Sequence, residues 1–83
     1  MKEEEIKTVI FQLLKNIAPD TEPSTLQPNE NIRETLNIDS FDSLQFVIAL
    51  NEKLGIEIPE EDYGKITNLK ELLLYINKKM KSP

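Results

Sequence analysis

From Ile6 onward, apolar residues recur at Ile6, Val9, Ile10, Leu13, Leu14 and Ile17, the three-and-four spacing that lines one side of a helix. Glu3, Glu4 and Glu5 precede them, where carboxylates favour the positive end of the helix dipole. Pro19 pushes the residue before it out of the α region, so a first helix is predicted over 3–17. That period lapses from 18 to 39, a stretch that carries Pro19, Pro23 and Pro28. It reads as a long loop, and loops of this length in small domains are often functional. Leu26, Ile32, Leu36 and Ile38 are spaced to pin it onto a bundle, with 31–36 forming a short turn.

A second helix is predicted over 40–54, beginning at the cap residues Asp39 or Ser40 and closed by Gly55, which suits the left-handed position after a helix. Its apolar residues Phe41, Leu44, Phe46, Val47, Ile48, Ala49, Leu50 and Leu54 are more than one buried face needs. Either this helix lies deep in the bundle, or part of it lines a pocket or meets a partner. Pro59 followed by Glu60, Glu61 and Asp62 predicts a short helix over 59–64. Asn68 with Glu71 three residues on has the form of an N-cap, and Leu69, Leu72, Leu73, Ile76 and Met80 mark one face of a last helix over 68–80. Lys78, Lys79 and Lys81 favour the negative end of its dipole. The pattern assigns Leu44, Val47, Ile48, Ile58, Ile66, Leu72 and Leu73 mainly to the core. The expected fold is all-α: a four-helix bundle of three long helices and one short one, a single domain over 1–83, with the long loop between the first and second helices.

Composition then removes whole classes of activity. With no His and no Cys there is no imidazole base, no thiol nucleophile and no ordinary zinc site, so neither a catalytic residue nor a metal ligand set is expected. A formal net charge of -5 argues against binding a phosphate backbone. No apolar run reaches the length of a membrane span, and the start Met1-Lys2-Glu3-Glu4-Glu5 does not resemble a signal peptide, which favours the cytoplasm. If the protein takes part in covalent chemistry, its reactive group is expected to come from elsewhere.

Ser40, at the junction of the long loop and the second helix, has a setting suited to an attached phosphate. A serine at a helix start is by default a cap, but the same position presents unpaired N–H groups and a partial positive charge to an attached anion. The flanking residues go further. Leu36, Asp39-Ser40-Phe41, Val47-Ile48-Ala49-Leu50, Gly55-Ile56-Glu57-Ile58-Pro59-Glu60-Glu61, Lys65-Ile66-Thr67-Asn68-Leu69 and Tyr75-Ile76 together resemble the acyl carrier protein family, in order and over nearly the whole chain. The resemblance implies a carrier that is not itself an enzyme. Its serine, Ser40, receives 4′-phosphopantetheine from coenzyme A through a Mg²⁺-dependent phosphopantetheinyl transferase. The arm's thiol then carries acyl groups as thioesters to separate acyl-loading, condensing or acyltransferase enzymes of fatty acid, lipid or related acyl metabolism. A monomer is expected.

Asp42-Ser43-Leu44 repeats the Asp-Ser pair three residues on, but aligning Ser43 with the family's serine would shift both Leu36 and Ile58-Pro59 out of register, so Ser40 is preferred. Asp39 and Asp42 have two readings: carboxylates that cap and favour the helix, or residues read by the transferase. The resemblance also implies partner docking along the second helix and just beyond it, at Asp42, Gln45, Glu52 and Glu57, and an acyl pocket lined by Phe46, Ile58 and Leu72. Gln45, Asn51 and Lys53 stand where carriers of fatty acid synthesis often have carboxylates. Phe41 and Phe46 are bulkier than the usual leucines, and Asn37 and Ile38 replace small residues, which together suggest a specialised subgroup. The competing reading is an unmodified helical interaction module that uses the acidic surface and bears no prosthetic group.

Overall fold

The computed structural model describes residues 2–81 apart from the side chain of Lys81, so Met1 and that side chain, both read above, lie outside it. Three long helices carry the fold: α1 (Glu3–Ile17), α3 (Ser40–Leu54) and α4 (Leu69–Lys81), with a four-residue helix α2 (Ile32–Thr35) between the first two. Two 3₁₀ segments, Pro23–Thr25 and Glu60–Lys65, complete the order, and the described residues contain no strand beyond an isolated bridge between Asn31 and Asn68.

α1 begins with three glutamates and ends near Lys15, both favourable to its dipole. Its start is only half capped. The Lys2 N–H donates to Glu5 Oε1 at 3.3 Å, but a lysine side chain has no acceptor with which to return the bond. α3 is bounded more firmly. The Asp39 side chain caps one end, and Gly55, at φ 67 and ψ 32, closes the other in the left-handed region that a Cβ disfavours. α4 is capped by Asn68, whose Oδ1 accepts from the Glu71 N–H at 2.8 Å.

α1 packs chiefly on α3 and also on α4. Ile6, Ile10 and Leu14 from α1, Leu50 from α3, and Leu69, Leu72 and Ile76 from α4 are essentially sealed from solvent. The linker between α1 and α3 is not structureless. Leu26, Ile32, Leu36 and Ile38 are all buried, and the Pro23–Thr25 turn and α2 give it local order. Its backbone is stitched to the start of α4 by Ile32 N–H to Thr67 C=O at 2.9 Å and Lys70 N–H to Pro28 C=O at 3.0 Å. The short third helix is a 3₁₀ segment displaced by one residue, with Pro59 as its cap rather than its first residue.

One expectation about the core is corrected. Leu44 and Ile48, assigned to it by pattern, are 42% and 41% exposed, and Phe41 is 67% exposed. The excess of apolar residues in α3 therefore divides between two sides: Phe46, Val47, Leu50 and Leu54 face the bundle, whereas Phe41, Leu44 and Ile48 share a solvent-facing stripe at the i, i+3, i+7 spacing.

A small polar tie holds the 3₁₀ segment to α4. The Tyr75 hydroxyl donates to Asp62 Oδ2 at 2.6 Å, and Lys65 Nζ lies 3.2 Å from Asp62 Oδ1. The tyrosine bond, then the lysine, hold the Asp62 carboxyl below its ordinary value. Partial burial, then the Asp62 bond, push the Tyr75 phenol up to about 12.

Two predictions follow from this packing and this tie. Leu50→Ala removes a side chain with no solvent exposure. It is expected to lower the unfolding free energy by about 2–5 kcal/mol, read from urea titration, a large share of the roughly 5–15 kcal/mol that small domains possess. For the tie, the depressed Asp62 stabilises the fold above its unfolded pKa and loses that contribution as pH falls through its lower folded value. The raised Tyr75 contributes fully below about 10 and loses its contribution as pH climbs towards about 12. Wild-type stability should therefore fall over that alkaline window more steeply than that of Tyr75→Phe, measured by denaturant unfolding at each pH.

Candidate functional site

The geometry around Ser40 begins with the turn that delivers it. After α2, the Leu36 N–H donates to Ile32 C=O at 3.1 Å, and the Ile38 N–H then reaches back to Arg33 C=O at 2.9 Å. Closing so tight a reversal puts Asn37 at φ 54, a left-handed conformation that asparagine tolerates better than most residues. The buried Leu36 and Ile38 anchor the chain on either side of it. This accounts for the departure at position 37: asparagine fills a conformation for which glycine is the usual choice.

The chain leaves this anchored turn directly into α3. Asp39 is the N-cap, its Oδ1 accepting from the Asp42 N–H at 2.8 Å while its C=O accepts from the Ser43 N–H at 2.9 Å. Of its two readings, the capping one is thus seen directly. Ser40 is the first residue of α3 and is exposed. Its own N–H and that of Phe41 have no acceptor within the helix, and the helix's positive end points towards them. Ser43 sits one turn further in and is half-buried.

Arg33 completes the arrangement. Its Nη2 donates to Ser40 Oγ at 3.0 Å, and its Nε is 3.5 Å from Ile38 C=O. The sequence pattern does not single out this residue. The available signal was that Arg33 is the chain's sole arginine, yet only the reversal at Asn37 shows that its side chain meets Ser40.

A cleft of about 800 Å³ opens beside Ser40. Buried residues Phe46, Val47 and Ile66 contribute apolar wall, and Arg33, Ser40 and Glu60 stand at exposed positions along it. Of the three residues expected to line an acyl pocket, Phe46 borders this cleft. Ile58 and Leu72, at 2% and 0% exposure, lie in the core away from this cleft. The four residues expected on a docking surface are less uniform. Gln45, Glu52 and Glu57 are exposed, whereas Asp42 is half-buried in the capped first turn. Gln45 and Glu52 flank the apolar stripe of Phe41, Leu44 and Ile48, so α3 presents a mixed apolar and polar face. No described helix is long and apolar enough to cross a membrane.

Comparison with known proteins agrees with these features. The family profile described as "Phosphopantetheine attachment site" matches residues 6–76. The chain is 35% identical over 74 residues to an acyl carrier protein of Thermosynechococcus vestitus, covering 86% of this chain and 91% of that one. It is 37% identical over 73 residues to an acyl carrier protein of Campylobacter hominis, covering 88% and 86% of the two chains. Among solved structures, the acyl carrier protein from Enterococcus faecalis superimposes with a TM-score of 0.73 at 31% identity, over 95% of this chain and 99% of that one. A helical bundle that presents a serine at the mouth of a cleft, and matches these carriers over most of its length in both sequence and backbone, belongs to the phosphopantetheine-binding acyl carrier protein family, whose members carry cargo and do not catalyse.

Proposed function

We propose that Ser40 bears the 4′-phosphopantetheine arm and that the protein delivers acyl groups on it to separate enzymes of a dedicated acyl pathway. The observation that carries this reading is the exposed Ser40 hydroxyl, held at the first residue of a capped helix by the buried Leu36 and Ile38. The residues around it fit a phosphodiester: a guanidinium lies 3.0 Å from the hydroxyl, and the open end of α3 favours negative charge. When attached, the arm supplies the thiol that this cysteine-free chain lacks.

The chain's own part is positional. Ser40 Oγ is the nucleophile that a phosphopantetheinyl transferase would use: a phosphoester bond forms at this oxygen, the phosphoanhydride of coenzyme A breaks, adenosine 3′,5′-bisphosphate leaves, and the serine proton passes to a base on the transferase. Asp39, tied into the cap, keeps the hydroxyl at the helix start, where an enzyme can reach it. The cleft beside Ser40, with Phe46 in its wall, is a candidate shelter for the front of an acyl chain. Partner enzymes would meet the α3 face on which Gln45 and Glu52 flank exposed Phe41, Leu44 and Ile48. With Gln45, Asn51 and Lys53 in place of carboxylates, this face steers basic partners less strongly. Reduced steering supports service in fatty acid, lipid or secondary-metabolite assembly beside a housekeeping carrier rather than in its place.

Incubation with coenzyme A, Mg²⁺ and a phosphopantetheinyl transferase should add the mass of one arm. Fragmentation should locate it on Ser40 rather than Ser43, and Ser40→Ala should abolish the gain. No gain with several transferases would favour the unmodified interaction module. The loaded protein should fail to replace the housekeeping carrier in a reconstituted fatty acid synthase; full-rate elongation would refute the dedicated role. Ile48→Glu, at an exposed position, should leave the fold intact and slow acyl transfer by a partner enzyme by roughly tenfold, the scale of a central contact residue.

A further inference from the structure

We infer that Arg33 is the phosphate-binding residue of the modified protein, its guanidinium pairing with the phosphodiester once Ser40 is substituted. This rests on attachment at Ser40 and adds a residue to that site. Arg33 is the sole arginine of the chain and the only basic residue between Lys15 and Lys53. Its Nη2 already reaches Ser40 Oγ at 3.0 Å, and it forms no ion pair with any described carboxylate. The backbone brings the two residues together. The Ile38 N–H bond to Arg33 C=O and the left-handed Asn37 fold the chain back, so that the start of α3 lies over the arginine.

The charge pattern gives that contact a purpose. Glu34, Asp39 and Asp42 surround the serine in sequence, so a phosphodiester placed on Ser40 adds negative charge to an already negative turn. A serine hydroxyl offers Arg33 one neutral acceptor. A phosphodiester offers charged non-bridging oxygens, to which the planar fork of a guanidinium binds more strongly and in two-pronged fashion. Arg33 is therefore poised in the unmodified protein at an acceptor weaker than the one attachment would create, and its charge offsets the repulsion that the phosphate would otherwise meet.

The test compares unmodified and modified protein, each checked by mass, in the wild type, Arg33→Gln and Arg33→Lys. Attachment should be less favourable to thermal stability in Arg33→Gln than in the wild type, with the two changes in Tm differing by about 2–6 °C at low salt. That gap should shrink at about 1 M NaCl, where exposed ion pairs are screened. Arg33→Lys, which keeps the charge but loses the fork, should fall between them. In the wild type, the Arg33 Nε–H resonance should shift and its proton exchange slow on modification. Equal changes in Tm for wild type and Arg33→Gln would overturn the inference, as would an Arg33 Nε–H signal that modification leaves unmoved. A wild-type protein that gains no mass would instead sink attachment at this serine.

Discussion

The burial of four linker residues, Leu26, Ile32, Leu36 and Ile38, is what turns three amphipathic helices into a carrier scaffold. A small domain without disulfides has little core to spare, and a long connection between its first two principal helices costs conformational entropy. Drawing these side chains into the common core offsets part of that cost and fixes where the connection ends. Backbone bonds from Ile32 to Thr67 and from Lys70 to Pro28 hold the same segment against the start of α4. The position of Ser40 is thus set by the whole bundle rather than by its own helix.

A second consequence concerns the division of labour within α3. One side supplies Phe46, Val47, Leu50 and Leu54 to the interior, and Phe46 and Val47 also wall the cleft next to Ser40. The other side leaves Phe41 and Ile48 in solvent, and Leu44, also exposed, borders both that side and the cleft. Exposed apolar residues grouped on one face are a contact surface in waiting, and their nearness to Ser40 means that a partner resting there would have the serine at the edge of its footprint. Core, cleft wall and exposed apolar stripe are placed on one helix, so a substitution in α3 must be assigned to a side before its effect can be read.

Polar interactions are few and local, but they sit where the structure changes direction. Asp39 caps α3 immediately before Ser40, Asn68 caps α4, and Asn51 Oδ1 accepts from the Ile58 N–H at 3.3 Å across the turn that follows Gly55. Tyr75 ties the 3₁₀ segment, one of whose residues, Glu60, borders the cleft, to α4 through Asp62, which Lys65 pairs with inside the segment. The last of these holds a 3₁₀ segment that contributes no buried residue to the apolar core.

The extents of the long helices and the place of Ser40 at a helix start were legible in the chain, because helical spacing, acidic first turns, Pro19 and Gly55 act over a few residues and carry their meaning locally. The family resemblance was legible for the same reason, being carried by contiguous runs. Tertiary structure alone decided which apolar residues of α3 face inward: a helix with too many of them has no unique buried face until α1 packs against it, and Leu44 and Ile48 fell on the open side. It also gave order to the linker, which depends on contacts between residues far apart in the chain. The meeting of Arg33 with Ser40 belongs to the same class: seven positions separate them, and only the left-handed turn at Asn37, held by burial on both sides, brings the guanidinium to the hydroxyl.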